Sequence, residues 1–348
     1  MENTNIKVII NGKGIYKDEL EEIYKEKQKH FTTLAINTSE FLKKHLDTKD
    51  ISFSDINFRV KSFESFWGKI IRKQYYNEPF DGIDDICGLR IIYYYPSDCP
   101  RIIKLIKDEL EIVEIINKNQ ELEFNQFGYR SNHFVIKPPN KINQDPLLFG
   151  LDNLKAEIQI RTILMHAWAE IEHKLAYKSK DQIPDRLRRK FSQLSALFEI
   201  ADERFEEIRA ERIEFISKLK EHTLSTGCFN KNLDLNLDTF QAFLDYYLPN
   251  QEKNIKKSRA FLNEILPMGL SIKKLVENYE QAGYIAQDLK NDLNIKEKWS
   301  QIETIRTTLD LTDDVYWNSR KFNILSLGYV PFCEKYRKII QGKIKQLS

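Results

Sequence analysis

Two hydrophobic patterns follow one another along this chain, and each predicts a different kind of element. Residues 17–46 lack glycine and proline and carry apolar side chains at the spacing of a helix. Residues 62–76 place Phe63, Phe66 and Ile70 on one side, which predicts an amphipathic helix. Short β-branched and aromatic runs predict strands instead. We expect strands at 53–60, 88–95, 112–116, 133–136 and 154–160, and helices at 101–110 and 162–177.

The order of these elements sets the expected fold class. Strands and helices alternate through the first half, which predicts an α/β or α+β fold built on a mixed β-sheet flanked by helices. After Pro184 the pattern becomes helical, and residues 186–219 predict one long charged helix or two. The remainder predicts a C-terminal all-α domain of short helices, with breaks near Pro249, Pro267 and Gly283.

A change in composition suggests where the domains meet. Residues 222–236 are rich in glycine, threonine, serine and asparagine, which interrupts the helical pattern. We therefore expect a first domain over 1–220, a linker over 221–236 and a helical domain over 237–348. The sequence leaves open whether that last domain is regulatory.

Composition and charge narrow the class of protein. Of the 348 residues, 41% are hydrophobic and 30% charged, which is typical of globular proteins, and the length favours two domains. The formal net charge of +2 does not by itself indicate a nucleic-acid partner. The four cysteines are scattered without C-x-x-C spacing, which fits a reducing compartment. Because the N-terminus lacks a signal-peptide pattern and no apolar run could cross a bilayer, we expect a cytoplasmic protein without a membrane partner.

The first candidate motif is a pair of acids before a strand. Asp84 and Asp85 lead into the predicted strand at 88–95, which carries Arg90. A carboxylate at a strand end suits Mg²⁺, which prefers hard oxygen ligands and takes few of them from protein. Taken alone, aspartates in this place are also typical of an ordinary turn.

The second motif is a loop directly before a strand. Residues 128–133 place Tyr129, Arg130 and His133 close together in the chain. An aromatic ring can stack on a base, and a guanidinium can bind phosphate through two hydrogen bonds. A polar turn with a half-buried tyrosine explains the same residues equally well.

The third motif joins a strand to a helix. Glu157, Gln159 and Arg161 alternate with isoleucines, so they share one face of a strand. Unpaired buried charge is costly, and this polar face therefore indicates a ligand. On the following helix, His166, Glu170 and His173 share one side. A polar helix face beside a nucleotide site, or one exposed to solvent, explains these residues better than a zinc-binding triad does.

Basic residues form a fourth feature. Arg59 and Lys61 share one face of a strand, and Lys69, Arg72 and Lys73 share one face of the next helix. Such a set is typical of a solvated basic surface, and it also suits a cradle for a triphosphate.

Together these four features resemble the RelA/SpoT synthetase family. Order, spacing and context agree over residues 16–208, through R-V-K-S (59–62), D-D-I-C-G-L-R (84–90), G-Y-R-S-N-H (128–133) and E-I-Q-I-R-T…H-A-W-A-E-I-E-H-K (157–174). The resemblance implies a mixed sheet flanked by helices. It also implies transfer of the β,γ-pyrophosphate of ATP to a ribose 3′-hydroxyl, usually that of GDP or GTP.

The resemblance also implies roles for individual residues. ATP would be bound by Arg59, Lys61, Ser62, Lys69, Arg72, Lys73 and Arg90, with the two strand arginines on either side of the adenine. Asp85 would hold Mg²⁺, with Mn²⁺ as an alternative, and Glu157 would share the metal or take the proton of the attacking hydroxyl. The acceptor would be bound by Tyr129, Arg130, His133, Gln159, Arg161 and His166.

The chain departs from the family's long members in one respect, and several functional hypotheses stay open. The chain has no His-Asp dipeptide, so we expect no alarmone hydrolase domain. A rival hypothesis keeps the chemistry but modifies the 3′ end of tRNA, as a toxin that the C-terminal domain restrains until a protein trigger binds. A third hypothesis, an inactive nucleotide sensor, is disfavoured by the retained Asp85, Glu157 and Tyr129. The acceptor and the oligomeric state, monomer or homo-oligomer, do not follow from the sequence.

Overall fold

A computed structural model describes residues 6–117, 132–138, 154–175, 184–293, 299–321 and 329–347. The chain forms two compact units, residues 1–209 and 210–348. Part of the predicted linker, 221–226, is helical, and turns follow it. The domain limits drawn from the sequence stay a prediction.

The first unit is built on a five-stranded mixed sheet. The strands of this unit are β1 (Val8–Ile10), β2 (Lys13–Ile15), β3 (Phe53–Val60), β4 (Cys87–Tyr93), β5 (Glu111–Asn117), β6 (Asn132–Lys137) and β7 (Ala156–Thr162). The strands β1 and β2 pair only with each other, and the other five form the main sheet. Its helices are α1 (Lys17–Thr48), α2 (Phe63–Lys73), α3 (Pro79–Gly82), α4 (Cys99–Glu109) and α5 (Ile163–Leu175). The main sheet has the order β3-β4-β7-β6-β5, in which β4 and β7 are parallel and the other neighbours antiparallel. The predicted fold class is confirmed.

One face of this sheet is the core, and the opposite face is polar. Leu89 and Ile91 of β4 and Ile158 and Ile160 of β7 are buried in one cluster with apolar side chains of α1, α2 and α4. Because successive side chains of a strand point to opposite faces, the residues between them face the other way. This alternation turns the polar residues of β4 and β7 toward a shared surface.

The first two strands form a hairpin that our sequence interpretation missed. Asn11 and Gly12 both have positive φ, 48° and 74°, and connect β1 to β2. Asn-Gly is the preferred pair for a two-residue hairpin turn, so a signal was present in the sequence. The hairpin is tied down where the Ile9 amide donates to the carbonyl of Tyr76 over 2.7 Å.

The long charged segment is a single helix, α6 (Asp185–Thr226). Within the first unit, Arg209 donates to the buried carboxylate of Asp98 over 2.8 Å. The Thr162 hydroxyl at the end of β7 donates to Asp202 over 2.6 Å. These two polar contacts attach α6 to the carboxyl end of β7 and to the turn that precedes α4.

The second unit is helical in the ranges that the structure describes. Its further helices are α7 (Leu237–Tyr247), α8 (Ile255–Ile265), α9 (Ile272–Ala282), α10 (Ile285–Asp292), α11 (Gln301–Thr312), α12 (Asp314–Arg320) and α13 (Tyr329–Leu347). Asn236 and Ser300 begin α7 and α11 with reciprocal capping hydrogen bonds. The breaks predicted near Pro249, Pro267 and Gly283 are confirmed. No helix in the described ranges is long and apolar enough to span a bilayer.

Asp202 should make the stability of the first unit depend on pH. Its side chain is buried, and this burial raises its pKa to about 6. The hydrogen bond from the Thr162 hydroxyl acts to lower the pKa, and the charge of Glu199 acts to raise it further. The folded protein therefore binds this proton more tightly than the unfolded chain, so Asp202 favours folding more at pH 5 than at pH 7.5. We expect Asp202→Asn to be more stable than wild type at pH 7.5, and this advantage to shrink at pH 5.

Thermal unfolding at the two pH values measures this difference. Asp108→Asn, at an exposed position of α4, serves as the control and should unfold like wild type at both. An Asp202→Asn protein whose melting temperature changed with pH in parallel with wild type would contradict the prediction.

Candidate active site

The polar face of the sheet encloses a cavity of about 280 Å³. It is lined by Asn57, Phe58, Arg59, Asp85, Gly88, Leu89, Arg90, Glu157, Gln159 and Glu170. The sheet register brings these residues together, since Arg59 is opposite Gly88, Gly88 is opposite Glu157, and Arg90 is opposite Gln159. Three of the four candidate motifs thus meet at one surface.

Asp85 is held between two lysines at one end of the cavity. Lys61 directly follows the last residue of β3. Ser62 then caps α2 by accepting a hydrogen bond from the Ser65 amide, so the helix begins next to the end of the strand. Lys69 lies two turns along this helix. The Lys61 and Lys69 amines lie 3.0 and 2.8 Å from the two carboxylate oxygens of Asp85. Burial alone would raise the pKa of Asp85, but hydrogen bonds from the two lysines outweigh it and the pKa is lowered. Asp85 is therefore ionised at neutral pH.

Glu157 is held from both sides in the middle of the cavity. The His133 Nδ1 lies 2.6 Å from Glu157 Oε1, and Gln159 Nε2 donates to Glu157 Oε2 over 3.1 Å. Burial raises the pKa of this carboxyl, and His133 and Gln159 more than offset that effect, so the pKa lies below its usual value. The carboxylate is charged, and its two oxygens have fixed partners.

Arg90 connects the sheet to α5. Its Nη1 donates to Glu170 Oε1 over 2.7 Å and lies 3.3 Å from His166 Nδ1. Arginine can only donate, so Nδ1 of His166 is the acceptor and the imidazole is neutral. Burial, together with the nearby charge of Arg90, lowers the pKa of His166, in agreement with this assignment.

The structure places most, though not all, of the predicted site residues together. Lys61 and Lys69 contact the cavity through Asp85, and His133 and His166 contact it through Glu157 and Arg90. Arg72 and Lys73 are exposed in the last turn of α2 and do not line the cavity. Arg161 is buried behind Gln159, to whose Oε1 it donates over 2.5 Å. Tyr129 and Arg130 lie outside the described residues.

Our choice of site residues left out five that line the cavity: Asn57, Phe58, Gly88, Leu89 and Glu170. Glu170 had a recognisable signal, because it follows His166 by four residues and so shares its side of α5. No pattern in the sequence pointed to Asn57 or Phe58, whose places depend on the pairing of β3 with β4.

The two carboxylates offer a fitting place for a divalent cation. Asp85 and Glu157 line the same cavity, and the charge of Asp85 acts to raise the pKa of Glu157, so each carboxylate experiences the other's charge. Within the described ranges no three metal-ligating side chains converge. One or two protein carboxylates completed by substrate phosphates is the arrangement that Mg²⁺ uses.

Removing the Asp85 charge should strengthen metal-free binding of a triphosphate. In Asp85→Asn, Lys61 and Lys69 lose their anionic partner, and the phosphates no longer meet a carboxylate. We expect a nonhydrolysable ATP analogue in EDTA to bind about tenfold more tightly, as removal of one nearby charge repulsion allows. Calorimetric titration measures this affinity.

Asp84→Asn is the matched control, because the neighbouring aspartate pairs with Lys155 instead, over 2.9 Å. Its affinity for the analogue should equal that of wild type. Equal affinities for all three proteins would show that Asp85 does not face the phosphates.

Part of the chain is similar to known proteins. Residues 58–182 match the family model described as "Region found in RelA / SpoT proteins". The GTP pyrophosphokinase YwaC of Bacillus subtilis is 35% identical over 158 residues, which cover 44% of this chain and 72% of that protein. The GTP pyrophosphokinase YjbM of the same organism is 31% identical over 153 residues, covering 44% and 70%.

One solved structure has a partial likeness to the chain. The crystal structure of the small alarmone synthetase 1 from Bacillus subtilis covers 57% of this chain and 99% of its own, with 27% identity and a TM-score of 0.47. The identity to the two pyrophosphokinases extends over more than two thirds of each of them, and the family model covers the strands and helix that form the cavity. The chain therefore belongs to the RelA/SpoT family.

Proposed function

We propose that this chain is an ATP-dependent pyrophosphokinase that transfers the β,γ-pyrophosphate of ATP to the 3′-hydroxyl of GDP or GTP. The observation that carries the proposal is one cavity that both Asp85 and Glu157 line, with two lysines paired to Asp85. The lysines suit a triphosphate, and the carboxylates suit a metal and a hydroxyl. The two relatives named as GTP pyrophosphokinases support the choice of reaction and of a guanine nucleotide.

The ATP side of the cavity is formed by β3, α2 and β4. Lys61 and Lys69 bind the phosphates, and to do so they give up their ion pairs with Asp85. Arg59 and Arg90 stand on adjacent strands, two residue pairs apart in the register, where their planar guanidinium groups can lie on either side of the adenine. Arg72 and Lys73 extend the positive charge along α2.

The transfer is an in-line displacement at the β-phosphorus. The acceptor 3′-oxygen forms the new bond to that atom, the bond to the oxygen bridging the α- and β-phosphates breaks, and AMP leaves with that oxygen. Glu157 accepts the proton of the attacking hydroxyl, for which an ionised and fixed carboxylate is suited. Asp85 and Glu157 would hold Mg²⁺, which supplies neutralisation of the phosphate charge.

The acceptor side is formed by β6, β7 and α5. Gln159 lines the cavity, and His133 and His166 stand behind Glu157 and Arg90. A guanine nucleotide is the acceptor that the relatives favour. The 3′ end of tRNA is the alternative acceptor, and exposed Arg186, Arg189 and Lys190 at the start of α6 are the residues that could attract its backbone.

Replacing Glu157 should abolish most of the transfer. With γ-labelled ATP and Mg²⁺, we expect wild type to move label to GDP or GTP, and Glu157→Gln to be at least about 100-fold slower because the base is lost. Deacylated tRNA is offered in parallel. Label that moved to tRNA alone would replace the proposed acceptor, and no label on any acceptor would refute the pyrophosphokinase.

Glu170 should affect ATP binding rather than the chemical step. Its carboxylate holds Arg90, so Glu170→Ala should release the guanidinium and raise the KM for ATP about tenfold with little change in kcat. Glu172→Ala, on the same helix but away from the cavity, is the control and should behave as wild type. Equal KM values for the two variants would contradict a role of Glu170 in holding Arg90 for ATP.

A further inference from the structure

We infer that Arg161 is a positioning residue, which fixes the orientation of the Gln159 amide and through it the carboxylate of Glu157. The inference rests on the proposed function, since it gives Glu157 the role of base. It assigns Arg161 a place behind the reacting groups, whereas the resemblance implied that Arg161 binds the acceptor.

Four side chains form one continuous row of hydrogen bonds across β6 and β7. The row runs from His133 Nδ1 to Glu157 Oε1 (2.6 Å), from Gln159 Nε2 to Glu157 Oε2 (3.1 Å), and from Arg161 Nη2 to Gln159 Oε1 (2.5 Å). The three β7 residues stand at alternate positions of one strand, so their side chains are neighbours on its polar face. His133 reaches the row because it is paired with Gln159 across β6 and β7.

The chemistry of the row determines its direction. A glutamine amide can turn either its oxygen or its NH₂ group toward a neighbour, and the two orientations have nearly the same shape. Arg161 has only donors, so within the Gln159 amide it can form a hydrogen bond only with the oxygen. The NH₂ group of Gln159 is then directed at Glu157, whose ionised carboxylate can only accept.

Without Arg161 the Gln159 amide would lose one of the two contacts that hold it. The Glu157 carboxylate would still favour the NH₂ group, because two facing acceptors are unfavourable, but the amide oxygen would lose the donor that anchors it. His133 would still hold Oε1, so movement of the amide would let the carboxylate rotate about that contact. A base that is misplaced by a fraction of an ångström loses rate while substrates still bind.

The position of Arg161 agrees with an indirect role. Arg161 is only 8% exposed and is absent from the residues that line the catalytic cavity, whereas Gln159 and Glu157 line it. Burial and the charge of Arg90 lower the pKa of Arg161 to about 9, which still leaves the guanidinium charged at neutral pH. The guanidinium thus contacts the Gln159 amide without lining that cavity, and it lines a neighbouring pocket of about 260 Å³ instead.

A double-mutant cycle in the full chain tests the inference. Arg161→Met and Gln159→Leu should each lower kcat about tenfold, and Arg161→Met should change the KM values for ATP and acceptor by less than about twofold. Because Arg161 acts through Gln159, the double variant should be no slower than the slower single variant. Arg161→Lys, which keeps a donor, should recover at least about a third of the wild-type kcat. Arg204→Met, at an exposed arginine of α6, is the matched control and should have wild-type rates.

Additive losses in the cycle, or a loss that is confined to the KM for the acceptor, would show that Arg161 contacts the acceptor and would overturn the inference. If Arg161→Met does not fold, Gln159→Glu replaces it in the test. That variant keeps an oxygen for Arg161 and removes the donor to Glu157, so a wild-type kcat would overturn the inference as well.

The row can also be tested without turnover. The side-chain amide of Gln159 is observable by ¹⁵N NMR and is assigned by its absence from Gln159→Leu. Its resonance should shift in Arg161→Met, with faster hydrogen exchange, and should stay near the wild-type position in Arg204→Met. An unshifted resonance would overturn the inference even in an active enzyme. A wild-type protein that transfers label to no acceptor but has the expected shift would refute the proposed function alone.

Discussion

The pairing of β4 with β7 is the constraint on which the site depends. These are two of the three interior strands of the sheet, and their parallel register sets Gly88 beside Glu157 and Arg90 beside Gln159. The same register buries Leu89 and Ile158 on the opposite face. A shift of either strand by one residue would carry Arg90 or Glu157 into the apolar core, where an unpaired charge costs roughly several kcal/mol. The apolar residues that stabilise the sheet therefore also hold the polar residues in place.

Asp85, Glu157 and Arg90, which line the cavity, each have a partner within the protein. Asp85 has two lysines, Glu157 has His133 and Gln159, and Arg90 has Glu170. A ligand that enters must offer replacements for the partners it displaces, because removing one member of a half-buried pair leaves the other uncompensated. Phosphate groups can replace Asp85 as partner of the lysines, and a divalent cation can replace the lysines as partner of Asp85. Under the proposed function, binding of the triphosphate and binding of the metal would thus be linked through Asp85.

Much of this arrangement could be predicted from the sequence, for identifiable reasons. The limits of β3 agree with the predicted 53–60, and those of β4 and β7 differ by one or two residues, since β-branched runs between turn residues are strong signals. The shared face of Glu157, Gln159 and Arg161 followed from strand periodicity alone and is confirmed by their hydrogen bonds.

The rest depended on tertiary geometry that the sequence pattern does not encode. Helical spacing placed Lys73 on the same face as Lys69, but each turn advances about 5.4 Å, and Lys73 is exposed beyond the cavity. The pairing of Glu170 with Arg90 joins residues 80 positions apart in the chain, so no local pattern shows it. The position of Arg161 behind Gln159 is set by side-chain conformation. Strand periodicity could not distinguish this position of Arg161 from one in which its side chain faces the acceptor.

The two halves of the cavity differ in how they are built, and this explains why the reaction is easier to infer than the acceptor. The ATP half is formed from one continuous stretch, residues 59–90, in which strand, helix cap and strand follow one another. The acceptor half draws on β6, β7 and α5, which begin at Asn132, Ala156 and Ile163. Substitutions in the second set of elements can change what is bound there without disturbing Asp85 or its lysines. Under the proposed function, the first half would therefore determine pyrophosphate transfer from ATP, while the hydroxyl that receives it would depend on side chains that the donor chemistry does not constrain.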